Sequence, residues 1–223
     1  MAVILCIETA TTNCSVALSI NGSVIALRED TSKEYSHAEQ LHVFIEDVLK
    51  QSNTDKADID AIAVSKGPGS YTGLRIGVSA AKGLCYALDV PLISIPTLEA
   101  LALQTKLEAK YIVSMLDARR MEVYAAVFSS EKTSEVKEIR ETRAEILTED
   151  SFEVFLQKGK VLFIGNGVEK FEAICKHPNA VFLRDNLPSS REMAEIAEKK
   201  HKKNDTEDVA YFEPYYLKDF IGG

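Results

Sequence analysis

Three groups of residues in this 223-residue chain have types and spacings that could do chemistry. The first is Lys66-Gly67-Pro68-Gly69-Ser70-Tyr71-Thr72-Gly73, a glycine-rich turn leading from an apolar run into a helical pattern. Such a turn can aim backbone N–H groups at a phosphate, or it can be a tight turn that needs small residues. It lacks the lysine of the G-x-x-x-x-G-K-[ST] loop, and both readings stand. The second group is a pair of acids, Glu8 and Asp117, each closing a short apolar run and lying 109 positions apart. They are either turn acids that satisfy local backbone groups or carboxylates that face each other across a cleft. The third group is the histidines and cysteines. His37 and His42 stand about 140° apart around a helix axis and cannot share one ion as an i, i+4 pair can. His177 and His201 add no ligand spacing, so a zinc site is not expected. Cys6, Cys14, Cys85 and Cys175 form no C-x-x-C pair and read as buried reduced thiols, which suits a reducing cytoplasm. No G-x-S-x-G elbow and no Cys–His pairing is present.

These residues must be held by regular elements. Val3 to Ile7, Ser15 to Ile20 and Val24 to Leu27 read as strands, with Asn21-Gly22 as a hairpin turn. Ser36 and Glu39 stand in capping-box spacing, and Leu41, Phe44, Ile45, Val48 and Leu49 form one apolar stripe of a helix. Ile59 to Val64 is a buried strand that runs into the glycine turn and a helix reaching Leu88, the βα half of a crossover unit. On that helix Arg75, Ser79 and Lys82 share one stripe, and nearly every other position is apolar or small. Such a helix must be covered on more than one side. The sheet covers one side; the other needs more of this chain or a partner.

Leu92 to Ile95 and Thr97 to Thr105 read as a strand and a helix, and the layout then repeats. Tyr111 to Leu116 ends in Asp117, Ala118-Arg119-Arg120 make a tight turn, and Glu122 to Phe128 returns. Val161 to Ile164 leads through Gly165-Asn166-Gly167 into another helix. The echo is one of element order and predicts two duplicated α/β lobes. A last helix is capped by Ser189-Ser190-Arg191-Glu192, and Asn204 to Asp208 forms a polar linker into Tyr211 to Leu217.

Composition narrows the classes. Lys and Arg number 26 against 34 Asp and Glu, a net charge of −8 with a pI near 5.2. Apolar residues make up 46% and charged residues 27%, ordinary for a folded globular protein. The acidity argues against this chain as the main clamp on nucleic acid, although a local basic patch is compatible with it. The N-terminus has no basic n-region and meets Glu8 at once, so it reads as a strand and not as a signal peptide. No apolar run approaches the roughly 20 residues of a membrane span.

Four stretches carry a resemblance: I-E-T-A-T at Ile7 to Thr11, S-H-A-E-Q-L at Ser36 to Leu41, K-G-P-G-S-Y-T-G-L-R-I-G at Lys66 to Gly77, and P-T-L-E-A-L-A at Pro96 to Ala102. With E-P-Y-Y-L-K at Glu213 to Lys218, they are similar to the bacterial TsaB (YeaZ) family. The resemblance implies an α/β fold of the ASKHA (actin/hexokinase/Hsp70-like) class with two duplicated ribonuclease-H-like lobes. The lobes are expected at 1–105, joined by about 204–223, and at 106–203. It implies a non-catalytic partner of TsaD, which with the ATPase TsaE transfers a threonylcarbamoyl group to N6 of the adenosine beside the tRNA anticodon. It further implies a homodimer when the chain is alone, contact with tRNA only through the complex, and a cytoplasmic location. TsaD's metal-binding H-x-x-x-H falls where this chain has Thr97-Leu98-Glu99-Ala100-Leu101, without either imidazole. The Asp-x-Gly phosphate motif of ASKHA kinases falls at Asp117-Ala118-Arg119, where the third residue is bulky.

On this resemblance the chain has no cofactor of its own. ATP or ADP could sit at the interface with TsaD, touched by Glu8, Thr9, Gly67, Gly69 and Gly73. The docking face is expected on the first two helices, at His37, Gln40, Leu41, Phe44, Val48, Arg75, Val78, Ser79 and Lys82. The rival class is a small ASKHA-type ATP-dependent phosphotransferase or ATPase that uses Glu8 or Asp117 for Mg²⁺.

Overall fold

The structure, a computed structural model, describes residues 1–31, 37–105, 107–132 and 135–218. It divides into two compact units, Met1–Ala100 with Pro188–Gly223, and Leu101–Leu187.

The first unit is built on strands β1 (Val3–Glu8), β2 (Cys14–Ile20), β3 (Ser23–Asp30), β4 (Ala61–Gly67) and β5 (Leu92–Pro96) in the order β3-β2-β1-β4-β5. The first three are antiparallel, while β4 and β5 join parallel. At the β2–β3 turn, Asn21 and Gly22 both have positive φ, 52° and 78°. That is the condition that favours Asn-Gly in a two-residue hairpin. Helices α1 (His37–Ser52) and α2 (Tyr71–Leu88) cover one face. Leu41, Ile45 and Val48 of α1 and Val78, Ala81 and Cys85 of α2 meet Leu5, Ile7, Val16 and Leu18 of the sheet. Ser36, the expected cap of α1, lies outside the described residues. Side chains alternate along a strand, so Ile4, Cys6 and Ala63 turn to the other face, where they are also fully buried. The short helix α3 (Thr97–Ala102) follows β5.

The second unit repeats the plan. Its strands are β6 (Tyr111–Asp117), β7 (Glu122–Lys132), β8 (Glu135–Ile146), β9 (Val161–Ile164) and β10 (Ala180–Leu183), in the order β10-β9-β6-β7-β8. Again three antiparallel strands are followed by two parallel ones. The short helices α4 (Glu153–Leu156) and α5 (Val168–Glu172) close it over a cluster of rings. Phe163 lies 4.9 Å from Phe171, 5.3 Å from Phe182 and 5.6 Å from Phe152, centroid to centroid. Each unit thus carries the same five-stranded α/β plan, the duplication expected from the sequence.

Both boundaries depart from expectation: the first stretch ends at Ala100 rather than at 105, and the second unit ends at Leu187 rather than at 203. The last helix, α6 (Ser190–Lys202), expected within the second lobe, belongs to the first unit. Its buried stripe, Met193, Ala194, Ile196 and Ala197, packs on β1, β2 and β5. Ser190 also anchors it, with its hydroxyl 2.6 Å from that of Ser15. The first sheet needed a cover on its second face, and the C-terminal part of the chain returns to supply it.

Candidate functional site

The junction of β1, the glycine turn and α2 brings all five expected nucleotide-binding residues together, but as a packing contact. The Thr9 hydroxyl donates to the Gly73 carbonyl at 2.8 Å. A Cβ on Gly73 would collide with the Thr9 carbonyl, one on Gly77 with the Thr9 hydroxyl, and one on Gly69 with Ala10. The small residues let α2 ride directly on the 8–11 turn. Several backbone donors at the glycine turn are engaged as well. Ser70 N–H donates to the Ala10 carbonyl at 2.7 Å and Leu74 N–H to the Ser70 carbonyl at 2.9 Å. Gly73 N–H reaches the Ser70 hydroxyl at 3.3 Å and Gly67 N–H the Thr97 hydroxyl at 3.1 Å. The close approaches are those of a tight turn that needs small residues. Four amides here are thus engaged within the chain; in the second unit, Arg119 is the bulky third residue of the Asp117-Ala118-Arg119 turn.

Glu8 and Asp117 hold equivalent places in their sheets and differ in electrostatics. Glu8 is fully buried. Its Oε1 accepts from Ala10 N–H at 2.6 Å and from the Ser65 hydroxyl at 2.8 Å. Its Oε2 has no partner among the described residues. Desolvation pushes its pKa up to about 7, against the pull of those hydrogen bonds. Asp117 is exposed and pairs with Lys170 at 3.0 Å. Among the described residues no group of three or more His, Cys, Asp or Glu could hold a metal ion. The four cysteines are free and buried, and burial pushes the thiols of Cys6, Cys14 and Cys85 up to about 12.

The expected docking residues separate into two sets. Leu41, Val48 and Val78 are buried in the unit's own core and have no surface to offer a partner. His37, expected at the surface, is also buried; its Nε2–H donates to the Thr11 carbonyl at 2.6 Å. Burial holds its pKa below the usual histidine range. Gln40 and Phe44 are half-buried and Ser79 is exposed. Around them α1 exposes Val43 by 53%, and α2 exposes Tyr86 by 88%. Gly83 has open space where a Cβ would stand. Thr72, Ser79, Gly83 and Tyr86, spaced i, i+7, i+11 and i+14, make one narrow stripe of α2.

Arg75 and Lys82 flank that stripe, and here the chain supplies its own cover. Lys82 Nζ donates to the carbonyls of Ala210 at 3.1 Å and Phe212 at 3.0 Å. Arg75 Nε donates to the Tyr216 hydroxyl at 3.3 Å and its guanidinium lies 4.5 Å above the Tyr71 ring. The Tyr216 ring packs on Tyr71 at 4.8 Å with the planes tilted by 37°, and Tyr215 N–H donates to the Lys66 carbonyl at 2.7 Å. Further back, the Ser94 hydroxyl donates to Glu207 at 2.5 Å. Residues 207–216 thus form a strap along α2. The sequence joins 204–223 to the first lobe but does not show how the segment is held, because most of its acceptors are backbone carbonyls, which carry no residue signature.

The profile of the family described as "TsaD: tRNA N6-adenosine threonylcarbamoyltransferase" matches residues 29–221. The chain is 34% identical over 224 residues to the tRNA threonylcarbamoyladenosine biosynthesis protein TsaB of Escherichia coli, covering 98% of this chain and 95% of that one. It is 32% identical to the TsaB of Bacillus subtilis, covering 73% and 70%. A solved structure of YeaZ from Pseudomonas aeruginosa superposes with a TM-score of 0.82 over 97% of this chain and 100% of that one, at 24% identity. No helix among the described residues is long and apolar enough to cross a membrane. The chain belongs to the TsaB (YeaZ) family of tRNA threonylcarbamoyladenosine biosynthesis proteins.

Proposed function

We propose that this chain is a non-catalytic partner subunit in tRNA threonylcarbamoyladenosine synthesis, and that it docks on a TsaD-type transferase through the α1–α2 face. The observation that carries the reading is the exposed stripe Thr72, Ser79, Gly83 and Tyr86 beside Val43 and Phe44. It joins small residues, which allow close helix approach, to apolar ones that gain from burial. With the strap on one flank, the stripe stays open for a partner. A second copy of the chain would use the same stripe, so homodimer and heterodimer compete. A TsaE-type ATPase completes the assembly, and ATP or ADP sits at the interface with the TsaD-type protein, beside the glycine turn.

The phosphotransferase alternative needs Glu8 or Asp117 to hold Mg²⁺. Glu8 is sealed from solvent with one oxygen engaged twice, and Asp117 is already paired with Lys170. Both observations speak against it.

Gly83→Arg tests the docking face, because the side chain enters open space and leaves the fold intact. Co-purification with a TsaD-type protein should be lost while the unfolding transition persists. Unchanged association would refute this face. ATP hydrolysis by the purified chain alone, abolished by Glu8→Gln, would instead favour the phosphotransferase.

A further inference from the structure

The tip of the β6–β7 hairpin holds two arginines in a conformation that disfavours them. Arg119 has φ 71° and Arg120 φ 50°, in the left-handed region where a Cβ is crowded. Successive residues stay there only when their surroundings over-determine them. The Arg119 N–H donates to Asp117 Oδ1 at 2.6 Å, Ala118 N–H to the Glu122 carbonyl at 3.0 Å, and Glu122 N–H to the Arg119 carbonyl at 3.1 Å. Asp117 is fixed in turn: its N–H donates to Asn166 Oδ1 at 2.9 Å, and Lys170 bridges its carboxylate and the Glu122 carbonyl. An Asn-Gly pair would tolerate these angles at less cost, and this chain uses one at Asn21-Gly22. The backbone therefore does not ask for arginine.

Both arginines are exposed, and neither side chain makes an ion pair or hydrogen bond among the described residues. The lysine beside them is paired with Asp117, so the two guanidinium groups outnumber Glu122, the remaining acid of the tip. In a chain of net charge −8, this is a local reversal of sign. Met121, 40% exposed, and Ile146, 71% exposed, rim it; Leu147 N–H donates to the Met121 carbonyl at 2.8 Å.

We propose that the β6–β7 tip is a direct RNA contact, with Arg119 and Arg120 gripping backbone phosphates of the tRNA. The planar guanidinium, with its fork of donors, suits phosphate oxygens, and each phosphate neutralised releases counterion. The proposal rests on the reading above, which makes tRNA the substrate of the assembly. It departs from the expectation that the chain meets tRNA only through its partners. An acidic protein surface is the other occupant such charge would attract.

The test compares wild type with R119N/R120G and R119K/R120K, each co-purified with a TsaD-type protein and titrated with an unmodified tRNA transcript across a salt series. R119N/R120G should assemble normally and melt a few degrees higher, because its backbone strain is relieved. It should bind tRNA at least tenfold more weakly at 0.1 M salt, with a log–log salt slope shallower by about 2. R119K/R120K should keep most of the slope and lose part of the affinity. Equal tRNA affinity and slope in all three would overturn the proposal. So would loss of assembly in R119N/R120G with tRNA binding intact, which would assign the tip to an acidic protein. If wild type itself fails to assemble, the docking reading falls, and tRNA titration of the chain alone still decides the arginines.

Discussion

Thr9 and Gly73 grip each other from both sides: the threonine hydroxyl donates to the glycine carbonyl at 2.8 Å, while the threonine carbonyl fills the space where a Cβ on residue 73 would be. The contact fixes α2 against the end of β1 and leaves no room for a methyl group backed by rigid main chain. Gly73→Ala should therefore destabilise the protein by about 2–3 kcal/mol, as overpacking of a closed site does. Gly83→Ala on the same helix meets nothing and gains helix propensity, so it should stabilise by about 0.5–1 kcal/mol. Urea midpoints of the two variants against wild type read both effects, and shifts of the same sign would contradict this account of the turn.

Glu8 makes stability depend on pH in an unusual direction. Its pKa rises from 4.5 in the unfolded chain to about 7 in the folded one, because burial disfavours the charged form more than Ala10 and Ser65 favour it. Below pH 4.5 both states carry the proton and there is no penalty. Between 4.5 and 7 the unfolded chain releases it and the folded chain keeps it, so this group lowers stability as pH rises. Above 7 both states are ionised and the penalty levels off at about 3 kcal/mol. Glu8→Gln keeps an acceptor for Ala10 and Ser65 without the titration. It should be more stable than wild type at pH 8, and the difference should shrink as pH falls toward 4.5. A gap independent of pH would show that Glu8 is not the titrating group.

Much of this architecture was legible in particular residues. Asn21-Gly22 marks its own turn, the stripe of α1 marks its buried face, and the strand–glycine-turn–helix echo marks the second lobe. Strand β8 was not legible. Its sequence, Glu135 to Ile146, is dense in charge because it is the edge of its sheet, and register shifts against β7 break the period-2 pattern that marks a strand. The candidate site was legible only in part. The resemblance collected Glu8, Thr9 and the glycines into one place, but a glycine reads the same whether it clears space for a phosphate or for a threonine. Leu41, Val48 and Val78 likewise looked like a docking stripe, because an apolar helix face does not say which neighbour covers it.

The cysteines offer a check on the packing around β1 and α2. Cys6, Cys14 and Cys85 are buried, with thiols pushed up to about 12 by loss of solvent, and the thiolate is the reactive form. At pH 8 in native buffer these three should not react with a thiol-specific dye over minutes, and all should react once denaturant is added. Labelling followed by peptide mapping assigns each site. Fast native labelling at Cys85 would mean that α2 lifts from the sheet more readily than its packing allows.

Lys82 holds the strap to α2 through two backbone carbonyls, Ala210 and Phe212. Removing the ammonium leaves both acceptors to water and frees the segment between Glu207 and Tyr216. Because the lysine is half-buried, the cost is about 1–2 kcal/mol, within the range for charged hydrogen bonds near a surface. That cost should be felt locally, since the sheet and α1 do not depend on it. Lys82→Met keeps most of the aliphatic stem and should leave the unfolding midpoint within about 1 kcal/mol of wild type. Limited proteolysis should then cut the variant near Tyr211 several-fold faster than wild type, at the exposed ring that the two carbonyls bracket. Equal cleavage rates would mean that Tyr216 packed on Tyr71, with Arg75 on its hydroxyl, holds the strap without Lys82; Tyr216→Ala should then release it.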